Sequence, residues 1–320
     1  PSALITMDAD TLSMSAELLA AASGHCLTPE ERALLPSSLA ILKNEHGFSK
    51  VHFWGKMQGI GRDYLIAQGL GDTAGDKKEG AFNAGSDITV AQFFETLQSV
   101  PKKTFRLGPD GVSWTFLPAV TAEMKAIELD WQKSLQAKGQ VFTPLTGDIS
   151  FKYEWSAMTG PPAEDDEEKK PTPEAKEMVE DVRLACMVDA IDTDTSVVPV
   201  GAFILNSSSR VVANPYFRGL DLSSGLKLES YMHLRKPALL QNQPISERAV
   251  LSKSTHFLDS LTLDQPKGSW SLKHDAGNKM VMLRSLLFPG YVHFNCISAN
   301  TFGAIYVGSG ARNRDLPFML

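Results

Sequence analysis

The fold class is decided by residues 279–307, which read KMVMLRSLLFPGYVHFNCISANTFGAIYV. Runs rich in β-branched and aromatic residues alternate here with short segments that favour turns. Pro289-Gly290 and the upstream Ala276-Gly277-Asn278 supply the turn chemistry. The spacing predicts an antiparallel β-meander with four strands, which are roughly Ser269–His274, Lys279–Leu287, Tyr291–Ile297 and Phe302–Val307.

The side-chain pattern of two of these strands predicts which of their faces are buried. Lys279–Leu287 is apolar on both faces apart from Arg284 and Ser285, so we place it centrally in the sheet. Polar side chains share one face of the next strand, namely Tyr291, His293 and Asn295. That face is either the solvent side of the sheet or a binding surface. Cys296 lies on the opposite face and is expected to be a small buried hydrophobe rather than a nucleophile.

The N-terminal part contains a well-defined helix start. Thr28-Pro29-Glu30-Glu31 combines a capping Thr, a Pro suited to the first helical position and a Glu that completes a capping box. Four leucines follow at helical spacing, namely Leu34, Leu35, Leu39 and Leu42. Gly47 offers a stop, and Pro36 inside the run can kink the helix.

The remaining pattern mixes helices and strands. Before residue 160 it predicts an amphipathic helix over 8–22, a hairpin over 48–68 that turns at Gly59 and Gly61, a mobile loop over 71–86, a strand over Val112–Phe116 and a helix over Thr121–Lys138. After residue 173 it predicts a helix over Glu174–Ile191 and a strand over Val197–Leu205. Because helices do not alternate one for one with strands, the predicted class is α+β, with antiparallel β-sheets, packed helices and a C-terminal β-meander.

Residues 161–173 break the globular pattern. They combine four prolines with Glu164–Glu168, which are five acidic residues in a row. Repelling carboxylates do not bury surface and prolines hold the backbone extended, so we interpret the segment as a solvated linker or loop. An acidic docking tail is the functional alternative. On this reading the segment separates an N-terminal α+β region, 7–160, from a C-terminal α+β region, 174–320.

Composition limits the classes of function. The 320 residues are 43% hydrophobic and 21% charged, which suits a packed core. The formal charge is −6, and no basic patch is evident that would attract nucleic acid or an anionic membrane. The three cysteines are widely spaced and odd in number, which favours a reducing compartment over a disulfide framework. No apolar run reaches 18 residues, and the first residues do not resemble a signal peptide.

Sequence motifs for catalysis are missing. The chain contains no phosphate-binding loop, no complete dinucleotide fingerprint, no nucleophile elbow and no zinc motif. His25-Cys26 has no second ligand cluster and is interpreted as a loop between helices. Asp189, Asp192 and Asp194 lack the glycine and terminal glutamate of a calcium loop and are interpreted as the end of a helix. We therefore predict no enzyme activity, no cofactor and no catalytic or metal site.

The last residues of the sequence form an apolar segment. Leu316-Pro317-Phe318-Met319-Leu320 follow Asp315, and we expect their side chains to be buried against the chain's own sheet or on a partner chain. The five tryptophans are expected in the core, and any that is exposed would be an interface anchor. The candidate interface or tail anchors are therefore Trp54, Trp270, Leu316, Phe318, Met319 and Leu320.

The chain resembles the radial spoke head protein 9 family of motile cilia and flagella. The resemblance is carried by strings rather than one motif, and it extends from about residue 7 to residue 320. The strings are Met7-Asp8-Ala9-Asp10, Phe53-Trp54-Gly55, Tyr64 to Leu70, Gly147-Asp148, Tyr153-Glu154, Pro199 to Ala202, Phe217 to Leu220, His233 to Pro237, Pro266 to Ser271, Leu283 to Leu287, Tyr306-Val307-Gly308 and Asp315 to Leu320. The resemblance makes residues 1–6 an N-terminal extension. The loop at 71–105 and the helix at 121–138 are longer than the family leads us to expect.

The resemblance implies a non-enzymatic structural subunit of the axonemal radial spoke head. Such a subunit helps to assemble the head and to transmit central-pair signals that regulate dynein-driven motility. The implied partners are other head proteins, especially radial spoke proteins four and six, and the central-pair apparatus through the assembled head. The implied location is the axoneme, within the cytoskeleton of the cilium or flagellum. Homotypic contact, a soluble cytosolic adaptor and an enzyme with an unrecognised site remain alternatives.

Overall fold

A computed structural model of the chain describes residues 27–48, 50–70, 88–89, 103–156, 175–205, 210–214, 216–235, 244, 256–277, 279–298 and 301–319. The helices of these ranges are α1 (Pro29–His46), α2 (Ala122–Ala137), α3 (Glu180–Thr195), α4 (Leu222–Gly225) and α5 (Leu316–Met319), with 3-10 turns at Leu228–Ser230 and Leu261–Leu263. The first strands are β1 (Lys50–Met57), β2 (Tyr64–Leu70), β3 (Ile88–Thr89), β4 (Lys103–Leu107), β5 (Trp114–Phe116), β6 (Lys152–Ser156) and β7 (Ala175–Val179). The later strands are β8 (Val197–Pro199), β9 (Phe203–Leu205), β10 (Arg210–Ala213), β11 (Tyr231–His233), β12 (Trp270–Asp275), β13 (Met280–Ser285), β14 (Tyr291–Cys296) and β15 (Thr301–Gly308).

An eight-stranded sheet organises the fold, in the order β12-β13-β14-β15-β1-β2-β4-β5. The predicted meander forms its first half, with antiparallel pairing throughout. The predicted hairpin forms β1 and β2 in its second half. The two halves meet where β1 pairs parallel with β15, so each side of residues 161–173 contributes four strands to one sheet.

Close backbone approach at this junction requires a glycine. Gly55 has φ +150° and lies opposite Tyr306 in the parallel pair. A Cβ atom added there would lie 1.9 Å from the Tyr306 carbonyl oxygen. Any larger residue would therefore push β1 and β15 apart, which explains the Gly within Phe53-Trp54-Gly55 in physical terms.

Helices cover both faces of the sheet. On one face, Leu35, Leu39 and Leu42 of α1 join a core cluster with strand residues such as Phe53 and Phe105. On the other face, apolar residues of α3, namely Leu184, Ala185, Met187, Val188 and Ile191, pack in a second cluster with Trp54 and Tyr306. A sheet covered on both faces explains why β13 is apolar on both faces, as predicted. The strand lies between β12 and β14, next to the sheet edge rather than at its centre.

The predicted signals at both ends of α1 are confirmed. The Thr28 hydroxyl accepts from the Glu31 backbone N–H, and the Glu31 carboxylate accepts from the Thr28 N–H at 2.9 Å. Gly47 ends the helix with φ 64°, and Pro36 is accommodated inside it. The helix predicted over Thr121–Lys138 is likewise present as α2, capped by Thr121.

Three smaller sheets lie beside the large one. In the first of them β10 lies between β3 and β9. The other two pair β11 with β8 and β6 with β7. The β6–β7 pair packs on α2 through an aromatic cluster of Trp131, Tyr153 and Trp155. The predicted α+β class with a C-terminal meander is therefore what the molecule adopts.

Two predicted elements are wrong in type or extent. The helix predicted over Glu174–Ile191 is instead strand β7 followed by α3, because β6 offers residues 175–179 a hydrogen-bonding partner that the local pattern does not show. The strand predicted over Val197–Leu205 divides at Gly201, which has φ +86°. Its halves join different sheets, β8 with β11 and β9 with β10.

The polar face of β14 does not face solvent. Tyr291, His293 and Asn295 are all buried, because α3, β8 and β11 cover this face of the meander. Cys296 is buried, as predicted, and so is Cys186. The predictions for residues 8–22, 71–86, His25-Cys26 and 161–173 lie outside the described residues.

Candidate functional site

The C-terminal segment is tied firmly to the sheet before it ends. The Gly310 N–H donates to the Tyr306 hydroxyl at 2.8 Å, and the Asn313 N–H donates to the Leu287 carbonyl at 2.7 Å. The Asn313 amide also donates to the Leu286 carbonyl at 3.3 Å. Leu316 is 3% exposed and completes this attachment. The backbone of the segment is therefore fixed through the start of α5.

Beyond Leu316 the apolar side chains face water. Phe318 is 89% exposed and Met319 is 72% exposed, whereas Leu320 lies outside the described residues. Of the two expected arrangements, Leu316 adopts burial within the chain, whereas Phe318 and Met319 do not, and their burial on a partner chain stays a prediction. Phe318 lies about 200° around the helical turn from Leu316, so burial of Leu316 turns Phe318 outward.

Helix α2 supports the segment through a chain of polar contacts. The Arg314 guanidinium donates to the Gln132 amide oxygen at 3.3 Å, and the Gln132 amide donates to the Glu128 carboxylate at 3.3 Å. Burial raises the pKa of Glu128. Burial and the nearby Glu128 carboxylate together raise the pKa of the Cys186 thiol to about 12. Arg312 adds an ion pair to Asp194 at 3.5 Å.

Three exposed apolar side chains lie around Asn313 and the final turn, and we call them the C-terminal patch: Leu286, Phe318 and Met319. The Asn313 amide nitrogen lies 3.3 Å from the Leu286 carbonyl and 4.0 Å from the Met319 sulfur. Leu286 was not singled out from the sequence, because an isolated surface leucine has no distinguishing local signal.

The two candidate tryptophans are held inside the fold. Trp54 is buried and donates its indole N–H to Asp192 at 2.7 Å. Trp270 is half-buried and donates to Asp264 at 2.7 Å. Their role as interface anchors stays a prediction.

A buried carboxylate fastens several elements together at the start of α3. Glu180 accepts hydrogen bonds from the hydroxyls of Tyr64 at 2.6 Å and Tyr153 at 2.8 Å. It also accepts from the backbone N–H groups of Thr146 at 3.0 Å and Gly147 at 2.9 Å. Burial alone would raise the pKa of Glu180, but these donors outweigh it and hold the pKa below its ordinary value.

Arg183 extends this group, which we call the Glu180 cluster. Its guanidinium donates to the Tyr153 hydroxyl at 2.8 Å and lies 4.7 Å from the centre of the Tyr153 ring. It also donates to the carbonyls of Thr143 and Pro144. Tyr64, Gly147 and Tyr153 all belong to strings that carry the family resemblance. Sequence reasoning missed Glu180 and Arg183, because the helix carries six charged residues and the local sequence does not mark these two as buried.

A histidine and an aspartate from separate segments do meet, as the enzyme alternative requires. His233 Nε2 lies 2.7 Å from the Asp264 carboxylate, which also accepts from the Trp270 indole. However, His233 is 1% exposed and its Nδ1 has no hydrogen-bond partner within the described structure. A base that substrate cannot reach does no chemistry, so the pair is interpreted as a structural link between β11 and β12.

The acidic residues near the end of α3 contact protein donors. Asp189 pairs with Lys125 at 2.6 Å, and Asp194 lies near Arg235 and Arg312. Asp192 accepts from Trp54 and from the Gln68 amide. Within the described ranges, no group of three acidic, histidine or cysteine side chains is arranged to hold a metal ion. No helix there is long and apolar enough to cross a membrane.

The chain is similar to curated proteins along nearly its whole length. It is 36% identical over 314 residues to the Radial spoke head protein 9 homolog of Homo sapiens, covering 98% of this chain and 100% of that protein. It is 38% identical over 314 residues to the Radial spoke head protein 9 homolog of Danio rerio, with the same coverage. The corresponding Xenopus tropicalis protein is 34% identical over 316 residues. No protein-family model matches the chain.

Proposed function

The chain belongs to the radial spoke head protein 9 family, and from that premise we propose that it is a non-enzymatic structural subunit of the axonemal radial spoke head. In this role it helps to assemble the head and to transmit central-pair signals that regulate dynein-driven motility. Its location is the axoneme of a cilium or flagellum. Its direct partners are other head proteins, especially radial spoke proteins four and six, and the assembled head contacts the central pair.

The observation that carries this proposal is the full-length match to relatives named as radial spoke head proteins. The contacts of the described residues support a scaffold role. Two polar groups among the described residues, around Glu180 and around Asp264, join elements of the fold to one another.

Co-expression with a radial spoke protein four or six homologue tests the proposal. The expected result is a stable complex of fixed stoichiometry in size-exclusion chromatography with light scattering at physiological salt, because a head subunit buries apolar surface on its partners. The chain expressed alone provides the reference mass. A stable monomer that shows no affinity for either homologue would contradict the proposal.

A further inference from the structure

We infer that residues 8–22 form an amphipathic helix that docks into an apolar groove between α1 and β5. These residues lie outside the described ranges, and their sequence predicts the helix. The occupant of the groove is a part of this same chain, whereas a helix of another subunit and a second copy of this chain are the competing outcomes. The inference concerns the chain by itself and does not rest on the proposed function.

The first half of the groove is formed by α1 and the turn between β4 and β5. A Cβ atom added at Gly111 in this turn would lie 3.2 Å from Leu34 Cδ1. One helical turn further along α1, the Trp114 indole N–H donates to the Ser38 carbonyl at 3.1 Å. The start of β5 therefore lies beside the middle of α1.

The second half of the groove follows β5 towards the end of α1. The ring of Phe116 packs edge to face against that of Phe105, with 5.7 Å between the ring centroids. The Phe105 ring lies 4.8 Å from that of His46 in the last turn of α1. The turn and β5 thus accompany α1 from Leu34 to its last turn, and we call the space between them the α1–β5 groove.

Apolar side chains of both elements line this groove. Four of them are between 38% and 46% exposed, namely Leu34, Ile41, Val112 and Phe116. Trp114 is half-buried between them and packs on the core cluster beneath α1, so it forms the floor. β5 is also the last strand of the large sheet, and an edge strand is commonly covered by a helix or loop. An apolar surface at such an edge marks a docking site.

The sequence of residues 8–22 has one face that suits this groove. Its apolar side chains recur at spacings of four and three, namely Leu12, Ala16 and Leu19. Three polar side chains fall on the other side of such a helix, namely Asp10, Ser13 and Glu17. A helix with this pattern buries one side and leaves its charges in water.

The spacing of the large side chains sets the register of docking. Leu12 and Leu19 are seven residues apart, and so are Leu34 and Ile41. Both pairs therefore span about 10.5 Å along a helix axis. In an antiparallel arrangement Leu19 lies against Leu34, and Leu12 lies against Ile41.

The connection to α1 favours the chain's own segment over another chain. Only residues 23–26 separate it from Leu27, whose side chain packs on the same core cluster as Trp114. Five Cα steps span at most about 17 Å, so residue 22 stays near the first turn of α1. Short connections make consecutive helices antiparallel neighbours. The tether also supplies an effective concentration of roughly millimolar, which a separate chain would have to exceed.

Disulfide trapping in the full-length chain tests the register. Ala16→Cys is combined with Ser37→Cys in a Cys26→Ser background, and Glu17→Cys with Ser37→Cys is the control from the polar side of the segment. The two remaining cysteines are both buried, namely Cys186 and Cys296. We expect the Ala16 pair to form a disulfide within one chain at least tenfold faster than the Glu17 pair, because docking brings only the first pair within bonding distance. Equal rates would overturn the inference.

Hydrogen exchange tests docking without a new bond. In the wild-type chain alone, we expect the amides of the segment to be protected. Leu12→Asp with Leu19→Asp should lower that protection at least tenfold, and so should Leu34→Asp with Ile41→Asp, because a carboxylate is not buried in an apolar groove without a partner. Ile127→Asp in α2 is the control, since Ile127 is as exposed as Ile41, and it should change protection by no more than twofold.

Each remaining outcome gives a clear answer. A segment whose amides are unprotected in the wild-type chain does not dock, and the inference fails. Protection that appears only when a radial spoke protein four or six homologue is added would assign the docking to another subunit. A disulfide that joins two chains, seen as a doubled mass, would identify a second copy as the occupant. All three results overturn docking within the chain and leave the proposed function to be tested separately by complex formation.

Discussion

His293 is a buried histidine whose ring nitrogens are both without a hydrogen-bond partner in the described structure. It lies between the rings of Tyr231 and Phe302 on the covered face of β14. Burial lowers its pKa to about 3, because nothing nearby compensates the imidazolium charge. The folded protein therefore holds this ring neutral through the range in which a free histidine takes up a proton.

The lowered pKa of His293 predicts that acid destabilises the folded protein. The folded pKa lies below the unfolded value of about 6.5, so His293 has no effect on stability through protonation above pH 6.5 and destabilises the folded state increasingly as pH falls towards 3. At pH 5 the loss is about 2 kcal/mol. His293→Leu removes the titrating group, and we expect its melting temperature to fall less between pH 7 and pH 5 than that of the wild type. Equal falls in thermal scans of the two proteins would contradict this account.

At the scale of elements, the Glu180 cluster fastens α3 to β2, β6 and the loop before β6. The hydroxyl of Tyr64 and the carboxylate that it contacts are 116 residues apart in the chain. Each donor to Glu180 would be buried without an acceptor if the carboxylate were removed. The cost of a buried unsatisfied donor is about 1–3 kcal/mol, so the cluster contributes more than any exposed ion pair.

Glu180→Ala is accordingly expected to lower the free energy of unfolding by about 3–5 kcal/mol, since it leaves the Tyr64 hydroxyl and the N–H groups of Thr146 and Gly147 without their acceptor. Urea unfolding measures the loss. Glu177→Ala is the matched control, because Glu177 forms only an exposed pair with Lys152 and should change stability by less than about 0.5 kcal/mol. Equal losses for the two variants would show that the cluster has no special role. The lowered pKa of Glu180 further predicts that its contribution is present above pH about 4.5 and is lost below it.

At the scale of the whole molecule, the parallel pairing of β1 with β15 makes the two sequence regions one structure. Four strands from before residues 161–173 and four from after them share the large sheet. Apolar clusters on both faces of that sheet also combine residues from the two regions. The regions are therefore expected to unfold together rather than as independent domains.

A chain cut between the two regions tests this expectation. A protease site placed within 161–173 and cleaved in the folded protein should give two fragments that remain associated, because the sheet and both apolar clusters span the cut. Size-exclusion chromatography in native buffer should show one peak at the mass of the whole chain, and two peaks in denaturing urea. Fragments that separate in native buffer would instead indicate two domains that fold independently.

The sequence by itself determined the elements whose signals are local. The capping box of α1, the hairpin of β1 and β2, α2 and the four strands of the meander follow from hydrophobic periodicity and turn residues within short windows. Strings such as Phe53-Trp54-Gly55 likewise identified the family. Only the tertiary structure decided the pairing of β1 with β15, the strand at β7, the burial of His293 and the exposure of Phe318. The physical reason is that the first three depend on partners outside any local window, whereas the exposure of Phe318 depends on which surface the rest of the fold leaves uncovered.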